Sequence, residues 1–101
     1  MIENADLIMK FRLSPSMAKI LMLLLENKRV SARMIENDLK IVTDTKVAIH
    51  RIRRRLENTG IEIQSRREVG YWLDDTSKTV LYEALGQQAP AVSAGEGETS
   101  A

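Results

Sequence analysis

From Ser14 to Leu73 the apolar positions change rhythm, first falling three and four residues apart and then alternating every second residue. Met17, Ile20, Leu21, Leu24 and Leu25 make one stripe that Met22 and Leu23 widen, which predicts a strongly buried helix from Pro15 to about Asn27. Ser14 offers an oxygen to an unpaired backbone N–H, and Pro15 presets φ at the first helical position. Val30 and Ser31 then read as a short extended link and a second cap, opening a helix over Ala32–Leu39 with Met34, Ile35 and Leu39 at helical spacing. Ile41 and Val42 are expected to close the turn beneath it, and Thr43 or Asp44 to cap a third helix from Thr45 to Asn58. In that helix Thr45, Ile49, Ile52 and Leu56 form the packed stripe. Gly60 suits the left-handed residue that ends a helix. The segments IEIQS and VGYWL follow as two strands, with Ile61 and Ile63 sharing one face, and Val69, Tyr71 and Leu73 one face of the return strand.

The two ends of the chain are less regular. Residues 1–13 carry an alternation of Leu7, Met9, Phe11 and Leu13 with Ile8, Lys10 and Arg12, which predicts an edge strand or an extended arm. Residues 74–86 predict a short helix with Val80, Leu81, Ala84 and Leu85 on its apolar edge, docked either on its own domain or on a second copy of the chain as a homodimer. From Gln87 to Ala101 the residues are small, polar and acidic, as in a disordered tail.

Charge divides the chain further. The net charge is only +1, but residues 46–67 hold seven Lys/Arg against two acids, while residues 74–101 hold one Lys against five. A basic middle and an acidic end favour a polyanionic partner for the middle. There is no cysteine, so a disulfide frame and thiolate chemistry are excluded. No apolar run approaches the roughly 20 residues of a membrane helix, and the start lacks a signal-peptide pattern. The expected location is therefore cytoplasmic. Scattered acids, no phosphate loop and no nucleophile beside a base leave no expected enzyme activity and no expected cofactor or metal.

The face of the third helix opposite its packed stripe holds Val47, His50, Arg51 and Arg54, flanked by Lys46, Arg53 and Arg55. That face suits the edge of a nucleic acid. Arg66, Arg67 and Glu68 lie between the strands, so the hairpin tip is a second prong of positive charge. Tyr71 and Trp72 read as packing and support rather than stacking platforms, because only 4% of the chain is aromatic.

Helix, helix, helix, hairpin is the order of a winged helix-turn-helix, an α+β fold. Residues 13–73 resemble the output domain of OmpR/PhoB-type response regulators in three features: the LSP opening, the VAIHRIRRRL helix and the closing VGY. No phosphoacceptor receiver domain accompanies these motifs, so family-style control through one is not expected in this chain. Other departures are an N-terminal sheet reduced to a strand or two, and a short KIVTDT stretch that lacks the family's Trp-Gly. In addition, Glu68 stands where a glycine is common.

The resemblance implies a third helix lying in the DNA major groove. Val47 would touch thymine methyls and Arg51 would reach base edges, matching what groove chemistry favours for an apolar contact and a forked guanidinium. His50 and Arg53 would meet phosphates, with Arg54 and Lys46 beside them, and Arg67 would lead the wing, with Arg66, into the minor groove. The expected function is a sequence-specific regulator of transcription that binds double-stranded DNA. Two alternatives stay open: an adaptor that grips RNA polymerase or another regulator, and a nonspecific architectural DNA binder.

Overall fold

A computed structural model describes residues 2–39 and 44–87. The described residues form a small α+β unit of five helices and one two-stranded antiparallel sheet: α1 (Asn4–Phe11), α2 (Pro15–Glu26), α3 (Ala32–Leu39), α4 (Thr45–Arg55), β1 (Ile63–Arg66), β2 (Gly70–Leu73) and α5 (Asp75–Ala84).

The N-terminal segment is a helix and not a strand, which corrects the alternating reading. Alternation would have buried Leu7, Met9 and Phe11 together, but Met9 is 81% exposed whereas Leu7 and Phe11, four residues apart, are buried. The Glu3 N–H donates to the Asp6 carboxylate at 2.9 Å, closing the first turn, and Arg12 ends the helix in the left-handed region at φ 59°.

The second helix is the centre of the molecule, packing against α1, α3, α4 and β2. Its Ala18, Ile20, Leu21 and Leu24 are fully buried, which follows from the apolar stripe. The Met17 N–H donates to Ser14 Oγ at 3.2 Å and the Met34 N–H to Ser31 Oγ at 3.0 Å, so both expected serine caps form. Ile35 fixes α3 to the core, whereas Met34 of the same expected stripe is 37% exposed. The Leu39 side chain, Ile41, Val42 and Thr43 lie outside the described residues. Asp44 stands at the N-cap position of α4 with no capping bond from its side chain.

In α4 the buried residues are Thr45, Ala48, Ile49 and Ile52, and Leu56 follows just beyond the last turn. The helix ends at Arg55, three residues before the expected Asn58. Leu56 N–H is shared among the carbonyls of Ile52 and Arg53, and Thr59 Oγ1 donates to the Leu56 carbonyl. Asn58 and Gly60 then take positive φ and turn the chain so that Ile61 drops into the core.

The hairpin pairs Ile63 with Leu73, Gln64 with Trp72, Ser65 with Tyr71 and Arg66 with Gly70. Ile63 and Leu73 are buried against the helices. On the far side of β2, Val30 and Tyr71 exchange two backbone hydrogen bonds of 2.8 Å, so the link between α2 and α3 is stitched to the hairpin. Gly70 permits this approach: a Cβ there would stand 2.6 Å from the Val30 carbonyl oxygen, and its φ is +114°.

The last helix docks on its own domain. Leu81 is fully buried, and Val80, Tyr82, Ala84 and Leu85 pack against the same core. Ser77 Oγ accepts from the Glu62 N–H at 3.0 Å and donates to the Glu62 carbonyl at 3.4 Å, tying α5 to the approach of β1. Gly86 at φ 73° and a Gln87 N–H donating to the Tyr82 carbonyl at 2.8 Å complete a Schellman stop. Gln87 thus belongs to the helix end and not to the tail; the expected disorder of the rest falls on residues 88–101, outside the described residues.

Candidate nucleic-acid interface

The packed stripe of α4 decides which of its side chains reach solvent. With Thr45, Ile49 and Ile52 pinned beneath, Lys46, Val47, His50, Arg51, Arg53, Arg54 and Arg55 are all exposed. Val47 is 39% exposed, an apolar side chain standing among cations. Burial would be the favoured fate of a valine; here the helix presents it on the polar side, where a methyl-bearing surface could cover it.

Two open clefts flank this helix. In one, Lys46 at the start of α4 shares a cleft with Arg66, Arg67, Glu68, Ser31 and Tyr71, which brings the helix start and the hairpin tip together around one space. In the other, His50, Arg51, Arg54 and Arg55 share a cleft with Met17 at the start of α2, and Glu57 is the one acid on that rim. Cations of α4 therefore line both clefts, each of which also holds one acid.

Arg53 departs from its neighbours. Its Nη2 donates to the Ile63 carbonyl at 2.8 Å and to Ser65 Oγ at 3.2 Å, so its guanidinium lies along β1 rather than beside Arg51. It lines a groove there with Glu57, Glu62 and Gln64. The sequence pattern gave no sign of this link, since a hydrogen bond ten residues distant leaves no periodic trace.

At the hairpin tip the Val69 N–H donates to the Arg66 carbonyl at 3.0 Å, closing a turn with Arg67 and Glu68 at its centre. Glu68 sits at φ 71°, the left-handed conformation in the place that type II turns give to glycine. Glu68 lines the same cleft as Arg66 and Arg67, so one acid stands among the cations of the tip. Tyr71 packs partly into the core, and the Arg29 guanidinium lies 5.7 Å from the centre of the Trp72 ring, a cation–π contact on the hairpin. Both half-buried aromatics thus make contacts within the domain.

Comparison with protein-family models, curated proteins and solved structures found no match. The functional reading therefore stands on this geometry and on the motifs of the chain. Among the described residues no three His, Cys, Asp or Glu gather where they could hold a metal ion, and no helix is long and apolar enough to cross a membrane.

Proposed function

We propose that the chain is a winged-helix protein of OmpR/PhoB type that binds double-stranded DNA sequence-specifically and regulates transcription without catalysis. One observation carries this reading: a helix whose exposed face combines Val47 with a run of cations stands beside a hairpin tip carrying Arg66 and Arg67, with Lys46 between them. In this reading α4 enters the major groove and the hairpin is the wing. Val47 contacts thymine methyls and Arg51 forks onto a guanine edge. Lys46, His50 and Arg54 face phosphates on the two flanks of the helix, and Arg66 and Arg67 hold the backbone or the minor groove.

An adaptor that grips RNA polymerase would need a contact surface, and the apolar edge of α5 was the candidate for it. That edge is spent on the protein's own core through Leu81 and its neighbours, which favours the DNA reading. Selection of binding sites from random duplexes at physiological salt tests the proposal. A recovered motif is the expected outcome; binding without a motif points to an architectural role, and no retained duplex overturns DNA binding.

A further inference from the structure

We infer that Arg53 is a positioning residue that fixes the wing against the reading helix, so that the Val47–Arg51 face and the Arg67 tip meet one duplex in a set relation. This inference rests on the DNA-binding reading. Three facts support it. Arg53 leaves α4 on the side of β1, and its Nη2 spans two residues of that strand, the Ile63 carbonyl at 2.8 Å and Ser65 Oγ at 3.2 Å. Among the described residues β1 pairs with another strand only through β2, because the bridge to Val30 lies on the far side of β2. Nη2 carries two N–H groups held in the plane of the guanidinium, so one nitrogen donating to two acceptors on one strand ties that strand to the helix at two points rather than one.

The rest of the hairpin shows why such a link matters. The base is held by Ile63 and Leu73 in the core, but from Ser65 to the tip the residues of β1 are exposed and apolar packing is thin. The Arg53 to Ser65 bond is made just where packing ends. Without it, the wing arginines keep their charge but lose a fixed position, and each phosphate or groove contact they make must first order the strand.

A double-mutant cycle separates this role from a direct phosphate contact. The affinity of the unmodified chain, Arg53→Ala, Arg67→Ala and the double variant for one duplex is measured as a function of salt. Each phosphate contact contributes a slope of about 0.9 in log affinity against log salt. If Arg53 acts through the wing, Arg53→Ala lowers affinity at every salt concentration and leaves the slope nearly unchanged, Arg67→Ala lowers the slope by about one contact, and the double variant binds little more weakly than Arg67→Ala alone. Additive losses, with the double variant two contacts down, overturn the inference and leave DNA binding intact. A second measurement needs no DNA: hydrogen exchange at the Gln64 and Arg66 amides, which face β2 on either side of Ser65, should quicken several-fold in Arg53→Ala and stay unchanged in Arg67→Ala. Unchanged exchange in Arg53→Ala overturns the link. If the unmodified chain binds no duplex, the DNA reading falls and the positioning role falls with it.

Discussion

Helix α4 and the hairpin beside it bring cations to one cleft but are held by different forces. The helix is seated on Ile49 and Ile52, both essentially without solvent contact, and on Leu56 at its end. Close packing of this kind is strong and does not depend on one partner, since each buried aliphatic side chain contributes about 1.5–3 kcal/mol. The outer hairpin depends instead on a few directional contacts: the Val30–Tyr71 bridge, the close approach allowed by Gly70, and the two bonds of Arg53 Nη2 on β1. Hydrogen bonds of this sort contribute about 0.5–1.5 kcal/mol each, and any one can be removed alone. Helix α4 is thus rigid by packing, while the tip is set by bonds that single substitutions reach.

Substitutions on the two sides should therefore differ in kind. The largest effect is expected from Ile52→Ala, which leaves a cavity under α4 and should lower global stability by about 2–5 kcal/mol in denaturant unfolding. A loss below 1 kcal/mol would mean that α4 is not anchored by its stripe. Gly70→Ala comes next, at roughly 2–3 kcal/mol, because its Cβ meets the Val30 carbonyl and its φ strains any L-residue. That loss should be accompanied by faster amide exchange at Val30 and Tyr71; a variant as stable as the parent would place the bridge outside the fold's essential contacts.

Arg51→Ala should leave unfolding unchanged, as the side chain is exposed, and should cost about 1–3 kcal/mol in binding to a selected duplex while relaxing one position of the motif. An unaltered motif would remove Arg51 from base reading. The smallest change is a gain. Glu68→Gly relieves a left-handed residue, for which L-residues pay about 1–2 kcal/mol, against the added freedom of glycine in the unfolded chain, so a net stabilisation of about 0.5–1 kcal/mol is expected. The same variant removes a carboxylate from the tip and should bind duplexes more tightly, which a titration at fixed salt would record.

The division between packing and single bonds also explains how much could be read from the chain. The ranges of α2 and α3, the packed stripe of α4 and the existence of the hairpin follow from periodicity and from Ser14-Pro15 and Ser31, because apolar spacing and caps are local signals. Helix α1 was obscured because Leu7 and Phe11 fit a period of two as well as a spacing of four; only the exposure of Met9 separates the two. The Val30–Tyr71 bridge and the two Arg53 Nη2 bonds join residues far apart along the chain, and Arg53 does not differ in type from Arg54 and Arg55 beside it. Among the candidate residues, exposure of Lys46, Val47, His50, Arg51 and Arg54 was legible as the complement of a buried stripe. The partner each cation meets was not.

The most direct test of DNA binding through both prongs is the salt dependence of affinity for a selected duplex. With Lys46, Arg54, Arg66 and Arg67 on phosphates or in the groove, log affinity should fall against log salt with a slope of about −3 to −5, and the selected duplex should remain preferred over a random one across the range. A slope near zero, or no preference at any salt, would contradict it.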